Sequence, residues 1–266
     1  MWYNAAPIAP MLDGNPEVGV RSVQRALAVL AQFDDHRARW SVSDLARAVG
    51  LPKTTTLRLV KTLEQSGLIW SDVDGQVSIG PGLLRWSRLA ADVWQLPQPA
   101  RQVMRELAAQ FGETVNLYVR QSLSRVCVAR EEGTQAVRHV VQVGDSFPLW
   151  AGASAYVLLI DADRELVAAV ARSSPKGQRF ASTLMQRAQR AAGRGWAQSH
   201  GERESGASGV AAPVFDRPAR VLAALAVGGP TSRFTRERVD ALAPAVRDAA
   251  AQMSALHIHW PRSAPA

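Results

Sequence analysis

The run SVSDLARAVGLPKTTTLRLVKTLEQSGLI, residues 41–69, constrains the fold more than any other stretch of the chain. It holds two helical segments interrupted at Gly50, with Ser43 as candidate N-cap of the first and Gly50 as its stop. Pro52 suits the first turn of the second segment, where a missing N–H costs nothing, and Gly67 ends it. Two strand-like pieces follow, LIWS and QVSIG, joined by DVDG, a hairpin turn signal. Upstream, RSVQRALAVLAQF repeats apolar residues at helical spacing through Val23, Ala26, Leu27 and Leu30. Three short helices and a two-stranded wing make a winged helix-turn-helix.

Advancing about 100° per residue around the third helix sorts its faces. Thr56, Leu59, Val60 and Leu63 fall together and should face the core. Thr54, Arg58, Lys61 and Gln65 lie opposite, with Leu57 at their margin and Lys53 and Thr55 flanking the N-terminal end. The chain has three lysines, and two of them are here. Such a face suits a duplex groove: threonine hydroxyls bond phosphates or bases, an arginine bonds guanine bidentately, and lysines neutralise phosphates. Arg21, Ser22 and Arg25 of the first helix and Ser43 complete the candidate DNA-binding set of Lys53, Thr54, Thr55, Leu57, Arg58 and Lys61. In the wing, Gln76 or Ser78 would approach the adjacent minor groove, while Asp72 and Asp74 would be repelled from it. The competing reading is a small-molecule binding or catalytic protein whose winged helix serves dimerisation only.

Charge alone does not decide between them. The net charge of +8 favours polyanions. It is spread along the chain, however, with ten Lys/Arg against seven Asp/Glu over 20–92 and twenty-one against fourteen over 93–266. The single cysteine, Cys127, excludes an internal disulfide and a Cys-based metal site and reads as core packing. No apolar run is long enough for a membrane span, and the Pro- and Gly-rich opening lacks the character of a signal peptide. A cytoplasmic protein with a loosely ordered arm over residues 1–19 is expected.

Past a helix from about Gly82 to Trp94, Pro97 and Pro99 break the chain and the texture changes. RQVMRELAAQFG is an amphipathic helix. TVNLYVRQ and SRVCVARE alternate as strands, and AVRHVVQVGD reads as a third. SAYVLLIDA is a short apolar helix or strand, RELVAAVAR and ASTLMQRAQRAAGRG are helical, and GVAAPVFD and RVLAALAVGGP form a strand pair turning at DRPAR. A closing helix starts at a Thr235 cap. The mixture predicts an α/β (α+β) second domain.

These pieces resemble the IclR family of bacterial transcription regulators. The matching segments are VRSVQRALAVL, SVSDLARAVGLPKTTTLRLVKTLEQSGLI, FPLWAGASAYVLL, RGWAQSHGERESGASGVAAPVFDRPARVLAALAVGGP and SRFTRERVDALAPAVRDAAAQM, in family order from residue 20 to about 258. The resemblance implies a DNA-binding domain over 20–81, a linker helix over 82–98 and a GAF/PAS-like effector-binding domain over 99–260. It also implies homodimers or homotetramers on palindromic double-stranded operators, a small-molecule effector, and, by family frequency, repression.

The family's effector pocket maps onto Ala153, Ser154, Ser199, Gly209, Ala226 and Gly228, to which Leu149, Trp150, Ser205 and Ser208 are added as candidates. Members that bind tiny keto acids tend to carry a cysteine where Gly209 stands and serines where Ala226 and Gly228 stand. Losing those partners costs a small carboxylate about 1 kcal/mol or more each, and the smaller residues leave room. A larger, partly apolar effector follows, an aromatic or alicyclic acid, with Trp150 or Tyr156 stacked on its ring. Ser205 and Ser208 replace a common leucine and a common basic or polar residue. The bland alternative is that this domain has lost ligand sensing, or that Trp150 simply packs in the core.

No enzyme or cofactor signature competes. His257 and His259, two apart, cannot share a ligand on a helix. Glu202 and Glu204 lack a nucleophile or orienting histidine. No phosphate-binding glycine pattern occurs. Neither catalytic residues, metal ligands nor a cofactor are expected.

Overall fold

The computed structural model describes residues 19–137, 141–217 and 220–260. The expected N-terminal arm, apart from Gly19, and the Pro218–Ala219 centre of the DRPAR turn lie outside them. The chain divides into two compact units, residues 1–95 and 96–266.

In the first unit, α1 (Arg21–Leu30), β1 (Arg39–Ser41), α2 (Val42–Ala48), α3 (Lys53–Gln65), β2 (Ile69–Ser71), β3 (Gln76–Ile79) and α4 (Gly82–Val93) follow in order. The strands form one antiparallel sheet ordered β1-β3-β2. Val29, Phe33, Leu45, Val60, Leu63, Ile69 and Val77 make its core. The cap of α2 is Ser41, not Ser43: the Ser41 hydroxyl accepts from the Asp44 N–H at 3.1 Å. The helix therefore starts two residues earlier than Ser43 suggested, because the preceding residues are held extended in β1. Gly50 adopts φ +65° and lets Leu51 N–H reach back to the Ala46 carbonyl at 3.0 Å, closing α2. Gly67 repeats the device at the end of α3, with φ +70° and Leu68 N–H on the Leu63 carbonyl at 2.9 Å.

The second unit contains α5 (Gln98–Phe111), β4 (Thr114–Gln121), β5 (Ser124–Glu131), β6 (Ser146–Pro148), α6 (Ala153–Leu158), α7 (Arg164–Ser173), α8 (Ala181–Arg194), β7 (Ala197–His200), β8 (Ala207–Arg217), β9 (Arg220–Pro230) and α9 (Arg236–Ala255). Six strands form an antiparallel sheet ordered β6-β5-β4-β9-β8-β7. Helices α6, α7 and α8 bury one face with Tyr118, Cys127, Ala211, Ala224 and Ala226. Helices α5 and α9 pack together and onto the sheet. Thr235 caps α9 as expected, accepting from Arg238 N–H.

The strand expected over AVRHVVQVGD is absent from its described part. Residues 138–140 lie outside the description, and the strand that pairs with β5 is β6, further on. A turn replaces it: Asp145 accepts from the Gln142 N–H at 2.8 Å, and Gly144 adopts φ +99°. Three short strands, β1, β6 and β7, lie where no strand was expected.

Candidate DNA-binding face and ligand cavity

Helix α3 buries Thr56, Val60 and Leu63 and half-buries Leu59, as the helical spacing required. Its other side stands in solvent: Lys53, Thr54, Leu57, Arg58 and Lys61 are exposed and Thr55 is half-buried. The buried Thr56 hydroxyl is satisfied by the Pro52 carbonyl at 3.2 Å, so the three threonines divide into one structural and two outward-facing residues. Among the described residues, no carboxylate pairs with Lys53, Arg58 or Lys61. The nearby acids are already engaged. Asp44 takes Arg37 and Arg47, and Glu64 accepts the Ser71 N–H at 3.1 Å. Hydrogen bonding from Ser41, with the two guanidinium groups, holds the Asp44 carboxyl below its usual range. Arg21 and Ser22 are exposed on α1, while Arg25 and Ser43 are half-buried. The wing turns at Asp72–Gly75, where the Asp72 carboxylate receives the N–H groups of Asp74 and Gln76. Gln76 and Ser78 are half-buried in β3.

The second unit holds a cavity of about 60 Å³ between the Gly209–Gly228 end of the sheet and the start of α6. Ala153, Ser154, Ser199, Ser208, Gly209, Ala226 and Gly228 line it. Leu149, Trp150 and Ser205 do not: Leu149 is buried in the core cluster, Trp150 packs against that cluster, and Ser205 is exposed. Tyr156 is not placed to stack on a ligand ring there. It lines an adjoining cleft of about 250 Å³ beside Arg187, Arg190 and Trp196. Its hydroxyl donates to Glu202 and accepts from Arg187, and these two form an ion pair at 2.8 Å.

Residues with no place in the sequence reading supply most of the cavity's polarity and bulk: Asn116, Tyr118, Arg125, Phe147 and Arg203. The rings of Tyr118 and Phe147 meet edge to face, centroids 6.1 Å apart. The Arg125 guanidinium sits 5.7 Å from the first and 5.6 Å from the second, and Arg203 stacks 4.2 Å above Phe147. These side chains take up the room that Gly209, Ala226 and Gly228 leave. Burial lowers the Arg125 pKa to about 10 and raises that of the Tyr118 phenol. The Ser208 hydroxyl is shared between Thr231 at 2.9 Å and His200 at 3.3 Å. The sequence did carry a signal for Arg125. It lies two residues from Cys127 in an alternating strand, and therefore in phase with the apolar face.

No cluster of three or more His, Cys, Asp or Glu able to hold a metal occurs among the described residues.

Two family models match the chain: the IclR helix-turn-helix domain over residues 22–72, and the bacterial transcriptional regulator IclR C-terminal domain over residues 89–255. The chain is 31% identical over 240 residues to the HTH-type transcriptional regulator KipR of Bacillus subtilis, spanning 88% of this chain and 96% of that protein. It is 28% identical over 243 residues to the HTH-type transcriptional repressor AllR of Escherichia coli K12, spanning 89% and 90%. Among solved structures, a putative IclR-family regulator from Rhodococcus sp. shares 44% identity at TM-score 0.61, covering 91% of this chain and 96% of that one. An IclR homolog from Microbacterium hydrocarbonoxydans complexed with 4-hydroxybenzoate shares 23% identity and the same fold at TM-score 0.69, covering 89% and 98%.

Proposed function

The chain belongs to the IclR family of bacterial transcriptional regulators, and from that premise we propose that its α3 reads a palindromic operator while the cavity beside α6 takes the effector. It is a DNA-binding transcription regulator and not an enzyme. Repression is the direction we propose, in line with the name of AllR.

One observation carries the operator reading: an exposed strip of cations and hydroxyls on α3 with no carboxylate partner among the described residues. Lys53 and Lys61 set the protein on phosphates, and Arg58, between one and two turns into the helix, addresses base edges. A homodimer, or a homotetramer built from dimers, presents the strip twice to matching half-sites. No described helix is long and apolar enough to cross a membrane, and a cytoplasmic regulator is the reading adopted.

The effector is a small organic acid, with an aromatic or alicyclic body as the preferred class; the fold accommodates 4-hydroxybenzoate in the M. hydrocarbonoxydans protein. Arg203, from the loop at 201–206, lines the cavity, so an outward shift of that loop would enlarge the space for a ring. Effector and operator then influence each other's affinity by one common factor.

The test is a gel shift on a duplex that the protein selects from a random library. Replacing Arg58 by alanine is expected to cost about 1–3 kcal/mol of binding and leave the fold intact. Unchanged affinity would instead favour a winged helix used for dimerisation alone.

A further inference from the structure

Arg125 projects from β5 into the wall of the cavity and is 4% exposed. Its Nη1 is spent on the protein, donating to the Ala151 carbonyl at 2.9 Å and to the Pro148 carbonyl. Its Nε is closed to solvent with no acceptor, and no acceptor for Nη2 is found among the described residues. The other charged side chain in the lining is also a cation, Arg203, which pairs with Glu204 at 3.4 Å, outside the lining. Among the described residues, no carboxylate forms an ion pair with Arg125.

A buried guanidinium without a counter-charge is costly, and the usual remedy is an ion pair with its remaining hydrogen bonds filled. The unfilled edge here, Nε with Nη2, is one of the two edges on which a guanidinium holds a carboxylate with two parallel N–H···O bonds. The backbone makes room for the group. Gly152, at φ +102°, has no side chain, and a Cβ there would lie 2.9 Å from Nη2. Tyr118 and Phe147 flank the guanidinium, so the anion's apolar body meets aromatic carbon.

Resting on the effector reading above, we propose that Arg125 is the carboxylate anchor of this cavity and that the effector is a monocarboxylate whose negative charge pairs with the guanidinium first at Nη2, the unfilled donor that is not closed off. The serines and backbone of the cavity then sort acids by shape, and the guanidinium requires that the ligand be an acid.

Calorimetric titration of the full-length protein tests this with acids of graded size, acetate, pyruvate, cyclohexanecarboxylate, benzoate and 4-hydroxybenzoate, each beside its neutral carboxamide. At least one acid is expected to bind, with its amide about tenfold weaker or more, since the amide cannot pair a charged group. Ala226→Leu, which fills the cavity floor, is expected to abolish the acid's binding. Arg125→Lys keeps a charge but has no two-donor edge, and should weaken the acid by about tenfold while leaving the amide unchanged. Should Arg125→Lys fail to fold, the acid–amide comparison on the unaltered protein decides alone. Equal binding of acid and amide, or undiminished acid binding to folded Arg125→Lys, overturns the anchor and leaves the effector cavity standing. Binding that survives Ala226→Leu, or no binding of any acid or amide, removes the cavity reading and the anchor with it.

Discussion

Neutralising Lys53 and Lys61 together should change how DNA binding responds to salt, and by an amount that follows from the exposed strip on α3. Both lysines are exposed and free of carboxylate partners among the described residues, so each is available to displace a counterion from a phosphate. Each phosphate contact on B-form DNA contributes about 0.9 to the slope of log affinity against log salt. Two lysines per chain in a two-fold complex make four contacts, so Lys53→Ala/Lys61→Ala should flatten the slope by about 3.6 units. From 50 to 200 mM KCl, a change of 0.6 in log salt, the unaltered protein should lose about 150-fold more affinity than the variant. Fluorescence anisotropy with the library-selected duplex, read across that range, measures both slopes. Arg58→Ala serves as the contrast: a lost base contact lowers affinity by a nearly constant factor at every salt concentration. A monomeric complex would show half the predicted change. A folded double variant whose slope moves by less than about one unit would refute the assignment of these lysines to phosphate.

Other consequences are as direct. Leu45 is fully buried in the first unit, and Leu45→Ala should cost about 2–5 kcal/mol in that unit's thermal unfolding. Ser41→Ala should cost about 1 kcal/mol through the lost cap of α2, and Ser43→Ala under about 0.5; the reverse order in chemical denaturation would return the cap to Ser43. Gly152→Ala combines φ +102° with a contact on Arg125, and should lower the melting temperature of the second unit by the equivalent of about 1–3 kcal/mol and abolish acid binding. Burial pushes the Cys127 thiol up from its ordinary value to about 12. The folded chain therefore holds this proton at pH values where the unfolded chain releases it. Stability should fall as pH rises above 9, and fall less in Cys127→Ala; in the native protein at pH 8 a thiol reagent should label only as fast as the second unit opens.

The first unit was largely legible from sequence because its signals are local. Gly50, Gly67 and the DVDG turn mark ends, and the 3.6-residue spacing in α3 separates Thr56, Val60 and Leu63 from Lys53, Arg58 and Lys61. The misreading of Ser43 for Ser41 came from a three-residue strand, itself unforeseen, that exists only because β3 is there to pair with it. Strands β6 and β7 depend in the same way on β5 and β8, and the alternation in AVRHVVQVGD had no means of announcing that a turn at Gly144 would break it. In the cavity, positions carried over from the family motifs gave the small-residue floor at Gly209, Ala226 and Gly228. They missed the walls, since Asn116, Tyr118, Arg125 and Phe147 come from three other strands and meet only through long-range pairing. Trp150 drew attention by its size, yet it packs against the core, where a large apolar ring is most stable.

Strands β8 and β9 divide their labour by parity. Gly209, Ala211, Ala224, Ala226 and Gly228 form one row across the pair, facing α6 and its neighbours, while Val210, Leu225 and Val227 alternate with them and are fully buried. Bulk added to the small-residue row would reshape the chamber, and the alternating row would keep its mates. A lineage carrying this sheet can exchange one chemical signal for another by single substitutions, and inherit the rest of the machine unaltered.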